Sequence, residues 1–223
     1  ADRLYRFRRE FRRLSEINHP HLVGMQTLEV DGSQWFFTMD LIEGEDFLSH
    51  VRPGDQLDES RLRSCLSQLA QGVMELHRRG IIHRDLKPSN VLVSRDGNLM
   101  ILDFGLAAEL QKATDMTQTR SGMFAGTPRY AAPEQMFGER IEASDWYAFG
   151  TMLYEALTGE PPFHGKDQVA LLRQKQEQDP PQLYDRHGVP SDLAELADGL
   201  VCREPTERLT SEAVSERLGL DEE

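Results

Sequence analysis

Cysteine is scarce in this chain. Its 223 residues hold two, Cys65 and Cys202, far apart and in no Cys-x-x-Cys pair. That excludes a zinc ribbon or finger and a disulfide scaffold, and leaves two reduced, buried thiols as the expectation. No run of 18 or more apolar residues occurs, so no membrane-spanning helix is expected. Nor does a secretory leader pattern appear. Basic residues are outnumbered, 25 Lys and Arg against 38 Asp and Glu, for a formal net charge of −13. Nucleic acid and anionic bilayers both call for a basic face, so neither is expected as a partner. A Gly-x-Gly-x-x-Gly run is missing, and no lysine precedes Lys87. The chain therefore encodes no glycine-rich loop to cradle phosphates with its backbone amides. It opens Ala1-Asp2-Arg3, without methionine and already in a helical pattern. The expectation is a piece cut from the interior of a longer, cytoplasmic protein.

What is present suits one domain, or one compact unit of two lobes: 39% of residues are hydrophobic and 28% charged, enough apolar surface for a sizeable core. Leu4, Phe7, Phe11, Leu14 and Ile17 recur at helical spacing and predict a helix over 1–17. Its arginines are expected on solvated faces rather than on nucleic acid, given the acidic remainder. Asn18-His19-Pro20 ends it, because the residue before a proline avoids helical angles. Strands are expected over 21–30 and 34–42, joined at Asp31-Gly32, and a loop over 43–57. Asp58 should cap a helix running to Arg79, with Leu62, Leu66, Leu69, Val73 and Leu76 on one face and Gly80 as its stop. Short strands over 91–93 and 99–102 flank Asp96-Gly97. Residues 107–127 are polar and aperiodic, a long loop of the kind that is functional or disordered. Past Ala143 the pattern is helical, interrupted at 159–165 and 179–190.

Four local patterns then fall in one order. His83-Arg84-Asp85-Leu86-Lys87-Pro88-Ser89-Asn90 follows the long helix, and Asp103-Phe104-Gly105 follows the second short strand. Gly126-Thr127-Pro128-Arg129-Tyr130-Ala131-Ala132-Pro133-Glu134 follows the polar loop, and Asp145-Trp146-Tyr147-Ala148-Phe149-Gly150 opens a hydrophobic helix. An Asp-Phe-Gly alone is weak evidence, but all four in order are very specific. With them the sequence resembles the eukaryotic-type (Hanks-type) Ser/Thr protein kinases over nearly its whole length. Residues 36–44 and Ala132-Pro133-Glu134-Gln135 are similar to the bacterial members.

The resemblance implies an α+β, two-lobed fold: a partial N-lobe over 1–42 and a C-lobe over 43–223. It implies ATP and Mg2+ as cofactors and a protein substrate with a Ser or Thr acceptor. Phosphoryl transfer needs a hydroxyl held in line with the γ-phosphate and cations to neutralise its oxygens. Asp85 would accept or orient the hydroxyl proton, Lys87 would neutralise the phosphate, and Asn90 and Asp103 would ligate magnesium. Thr127 should reach toward Asp85 and Lys87. Glu10 occupies the place of the glutamate that pairs with the ATP-binding lysine. Met39 is similar to the gatekeeper, Asp40 and Ile42 would offer backbone groups to adenine, Asp46 would reach the ribose, and Leu92 would floor the purine. Leu14, His83 and Phe104 are expected in one internal column. Arg84 would pair with a phosphate on the polar loop, where Thr117, Thr119 and Ser121 are candidates and Thr119 the first choice. Asp145 should hold the loop of Asp85, and Glu134 should pair with Arg208. Lys87, Pro88 and Ser89 with Gly126-Thr127-Pro128 point to Ser/Thr rather than Tyr acceptors.

The sequence departs from the family in lacking the glycine-rich loop and the ATP-binding lysine, which the family places ahead of Glu10. A fragment of an active kinase is the expected reading, and the fragment alone should bind MgATP poorly. A pseudokinase scaffold remains as an alternative. So does a small-molecule phosphotransferase, against which Arg84 and Glu134 argue.

Overall fold

The computed structural model describes residues 9, 11–31, 34–104, 128–139, 141–184 and 186–220. Of the helix predicted over 1–17, residues 11–15 (α1) are described as one helical segment, with Phe11, Leu14 and Ile17 buried and Arg12 and Arg13 exposed. β1 (Met25–Asp31) and β2 (Gln34–Met39) form an antiparallel ribbon in which Asp31 stands opposite Gln34 and Glu29 opposite Phe36. The first strand begins later than its sequence suggests. Residues 21–23 are claimed by another partner: Ile101 donates to the His21 carbonyl and Val23 to that of Ile101.

The segment 43–57, expected as loop, is corrected by the structure. β3 (Gly44–Asp46) pairs with β4 (Val91–Ser94), which pairs with β5 (Leu99–Ile101), all antiparallel in the order β3-β4-β5. Three residues are too few for an alternating pattern to register, and the strand exists through a partner far along the chain. Gly44 is needed there because a Cβ would stand 2.4 Å from the Val93 carbonyl oxygen. α2 (Phe47–Val51) follows at once, its Phe47 and Val51 at helical spacing and fully buried.

α3 (Glu59–Arg78) has the start and stop that its sequence encodes. The Asp58 carboxylate accepts from Arg61 N, and Gly80 turns the chain at φ +68°. Its apolar stripe is buried, as is the free thiol of Cys65. Cys202, also free, is only half-buried, which corrects the expectation of two buried thiols. It lies just past the C-terminal end of a helix, where its Sγ–H meets the Asp198 carbonyl.

α4 (Glu142–Thr158) is buried on every side from Ser144 to Leu157, which makes it the central post of the helical part. α5 (Gln168–Glu177), α6 (Ser191–Leu200) and α7 (Ser211–Leu218) complete that part. α4 and α6 meet at Gly150, where an added Cβ would lie 2.5 Å from Leu200 Cβ and 3.2 Å from the Leu200 carbonyl carbon. Alanine would favour the helix by about 0.5–1 kcal/mol, but overpacking against backbone costs about 1–3 kcal/mol. Gly150→Ala is therefore expected to lower the melting temperature. A variant at least as stable as the parent would mean that the two helices part without strain.

Candidate active site

α3 delivers the chain into a tight loop. Gly80 reverses it, and Ile81 N returns to the Leu76 carbonyl. Three residues later Arg84 sits at φ +74°, a left-handed conformation costly for a side-chain-bearing residue. One carboxylate holds it there. Asp145, in the first turn of α4 and 1% exposed, accepts from His83 N at 2.8 Å and from Arg84 N at 2.9 Å. Its Oδ2 also meets His77 Nε2 of α3 at 2.9 Å, so the loop is clamped between two helices. His83 is buried, and burial pushes its imidazole pKa down, against a weaker pull from Asp145 and Asp85.

Asp85 follows directly. Lys87 Nζ lies 2.5 Å from its Oδ2, and Asn90 Nδ2 donates to its backbone carbonyl at 2.8 Å and approaches Oδ2 at 3.4 Å. The Asp85 and Lys87 side chains are 28% and 21% exposed, open enough to meet a ligand. The spacing is a product of local structure: Pro88 starts a 3-10 turn, Pro88–Asn90, that folds Asn90 back under Asp85. Asn90 then ties in the second short segment, since its carbonyl accepts from Leu102 N at 2.8 Å. Asp103, at φ +55°, is the next residue. Asn90 thus spends its amide nitrogen on the loop, and its side-chain oxygen has no part in those bonds.

Those donors suit magnesium. It takes hard oxygens, commonly one or two carboxylates, and leaves its other positions to water and phosphate. Among the described residues no cluster of three His, Cys, Asp or Glu could cage a metal without such help.

The residues expected around a purine lie at the junction of the two sheets. Met39 ends β2 and is partly exposed. Asp40 N donates to the Gly24 carbonyl at 3.0 Å, so of its two backbone groups the carbonyl is the one left to face a ligand. Ile42 is half-buried and packs against the core. In β4, Val91 and Val93 point into the core, and Leu92 between them faces the other way, half-buried. Asp46 also has a local task, as the cap of a helix. Its Oδ1 accepts from Leu48 N and Ser49 N and its Oδ2 from Ser49 Oγ at 2.6 Å, so both oxygens serve the start of α2.

Glu134 and Arg208 meet in a two-pronged ion pair, at 2.6 and 2.8 Å. Next to them Gln135 links two segments: its Oε1 accepts from Ala132 N and its Nε2 donates to the Arg84 carbonyl. Tyr130 and Ala131 thereby line a cavity together with Arg84 and Asp85. Leu14, His83 and Phe104 are each at most 2% exposed. Glu10, Thr117, Thr119, Ser121 and Thr127 lie outside the described residues.

Three contributors escape the sequence reading: His77, Gln135 and Lys175. His77 falls one helical turn after Val73, and Lys175 three residues after the buried Leu172. A polar residue on an apolar stripe is the signal that would have found both. Gln135, inside a loop motif, carries no such signal.

Comparison with known proteins follows the same lines. A family model described as protein kinase domain matches residues 2–218. The chain is 35% identical over 198 residues to a RAC family serine/threonine-protein kinase homolog of Dictyostelium discoideum, a match covering 88% of this chain and 43% of that protein. It is 33% identical over 214 residues to the serine/threonine-protein kinase PknB of Mycobacterium leprae, covering 93% and 34%. With the serine/threonine-protein kinase PkaA of Streptomyces coelicolor it shares 34% over 222 residues, covering 98% and 40%. The crystal structure of Rad53 1–466 in complex with AMP-PNP superposes with a TM-score of 0.76 at 28% identity, over 93% of this chain and 53% of that one. The chain spans less than half the length of these three curated relatives.

Proposed function

The chain belongs to the protein kinase domain family, and from that premise we propose that it is the catalytic part of a Ser/Thr protein kinase, transferring the γ-phosphoryl group of ATP to hydroxyls of a protein substrate. The observation that carries this reading is the cluster Asp85, Lys87 and Asn90, drawn together in one turn and clamped through Asp145.

In this reading Asp85 orients the acceptor hydroxyl and takes up its proton as the bond to phosphorus forms. Lys87, already beside that carboxylate, offsets charge on the γ-phosphate. Asn90 and Asp103 hold magnesium, which when bound neutralises phosphate oxygens. Leu92 supports the adenine ring, and the Asp40 carbonyl and Ile42 backbone meet its edge, with Met39 behind. Glu10 and Thr127 keep the roles their motifs suggest. Arg84 receives a phosphate carried by the 117–121 stretch, Thr119 first, adding about −1.5 to −2 charges to the loop. The protein acts in the cytoplasm as one module of a longer polypeptide. The names of the relatives, all serine/threonine-protein kinases, favour this reading over a scaffold or a small-molecule phosphotransferase.

The test is to incubate the full-length protein with MgATP and matched Ser, Thr and Tyr peptides and to map phosphate by mass spectrometry. Phosphate is expected on Ser and Thr, on the protein's own 117–121 stretch, and nowhere after chelation of magnesium. Transfer to small molecules alone, or no transfer, would overturn the proposal.

A further inference from the structure

Lys175 is a buried cation that the kinase reading leaves without a task. It sits on α5, 1% exposed, and donates to three backbone carbonyls: Pro128 at 3.0 Å, Arg129 at 2.7 Å and Ala131 at 2.8 Å. An ammonium has three N–H donors and no acceptor, so each donor meets its own oxygen. Nothing about the surroundings makes this cheap. The side chain is fully withdrawn from water, and burial pushes the ammonium pKa down to about 7, with Arg208 adding to the shift and Glu134 opposing it. Its Nζ lies 5.1 Å from the Tyr147 ring centroid, and the Arg208 guanidinium 4.9 Å from the same ring. Two buried basic side chains therefore share the Tyr147 ring. A plain apolar residue would pack α5 without that desolvation cost, but it would leave the three carbonyls of Pro128, Arg129 and Ala131 without this donor.

Those carbonyls belong to a segment that matters for geometry. Tyr130 and Ala131 line the cavity beside Asp85. The segment is held from its other side too, where Gln135 bridges Ala132 N to the Arg84 carbonyl. Arg129 and Tyr130 both reach Glu155 of α4. Among the described residues Lys175 holds three carbonyls of this four-residue stretch, those of Pro128, Arg129 and Ala131.

We infer that Lys175 is a positioning residue for the acceptor polypeptide: through the carbonyls of Pro128, Arg129 and Ala131 it sets the ledge on which a substrate chain lies beside Asp85. It touches no reacting atom. The inference rests on the kinase reading, because only a polypeptide acceptor needs such a ledge.

The experiment compares full-length wild type with Lys175→Met. It measures melting temperature, KM for MgATP, and kcat and KM for a Ser/Thr acceptor peptide. A displaced ledge misplaces the acceptor, so kcat/KM for the peptide should fall by roughly 10- to 100-fold. KM for MgATP should stay within about twofold, because the loss falls on the acceptor side alone. Lys175→Gln, shorter and uncharged with two N–H donors, should show an intermediate loss, and it carries the comparison if Lys175→Met does not fold. An unchanged peptide kcat/KM in a folded variant overturns the inference. So does an equal rise in both KM values, which would mark a general loss of structure. A wild type that phosphorylates no protein overturns the kinase reading itself, whatever the variants do.

Discussion

Asp85→Asn in the full-length protein is expected to reduce phosphoryl transfer by ~10²- to 10⁴-fold, the usual loss on removing a positioned general base. That corresponds to roughly 3–5 kcal/mol of barrier. The same substitution should barely move the melting temperature. Asn keeps the shape of Asp and one side-chain oxygen. Among the described contacts, the substitution alters the ion pair to Lys87 and the long approach of Asn90 Nδ2 to Oδ2, and Asp85 and Lys87 both keep about a quarter of their side-chain surface in solvent. Pairs so placed contribute about 0–1 kcal/mol. The bond from Asn90 Nδ2 to the Asp85 backbone carbonyl does not involve the side chain and persists. The effect on rate therefore exceeds the effect on stability several-fold, which separates a chemical role from a structural one. Turnover and thermal melting should be read on the same preparation. Near-normal turnover in the variant would remove Asp85 from the mechanism.

What the sequence disclosed and what it hid divide along a physical line. The long helix α3 was legible because everything that defines it is local: a carboxylate cap at Asp58, an apolar stripe, a glycine able to take φ +68°. The cluster around Asp85 was legible because a 3-10 turn started by Pro88 brings together residues only a few positions apart. β3 was hidden because its hydrogen bonds go to β4, and nothing within Gly44–Asp46 announces that partner. The capping bonds of Asp46 were hidden because they depend on α2, an element that the loop reading had erased. Lys175 was hidden for a related reason. Its partners are three carbonyls, and a carbonyl looks the same whatever residue carries it.

Arg208→Ala is expected to cost about 3–5 kcal/mol, the range for removing one member of a buried ion pair. Folded domains have only about 5–15 kcal/mol to lose, so the variant should melt far below the parent. The reason lies in how completely the guanidinium is used. Its five N–H groups meet five acceptors: both Glu134 oxygens and the carbonyls of Ala143, Cys202 and Arg203. The side chain is 0% exposed and that of Glu134 6%, so water cannot replace the lost partner without opening the structure. Ser144 Oγ, donating at 2.7 Å, would be the one side-chain donor still shown on the Glu134 carboxylate. The pH dependence carries a further signature. Burial by itself would raise the Glu134 pKa, but the hydrogen bonds and charge of Arg208 outweigh it, and the net shift is downward from 4.5. A carboxyl with a depressed folded pKa contributes stability that is present above its unfolded pKa and is lost as pH falls through the folded one. Without Arg208, burial is opposed by the Ser144 and backbone hydrogen bonds but no longer by the guanidinium, so the folded pKa moves up and Glu134 takes up its proton at higher pH. The stability gap between parent and Arg208→Ala should accordingly be widest near neutral pH and narrow as pH falls from the variant's raised Glu134 pKa to the parent's, which lies below 4.5. Denaturant titrations of both proteins at pH values on either side of that interval measure the gap directly. A gap that stays constant across the window would show that the cost of the substitution comes from lost packing and orphaned carbonyls rather than from the unpaired charge of Glu134.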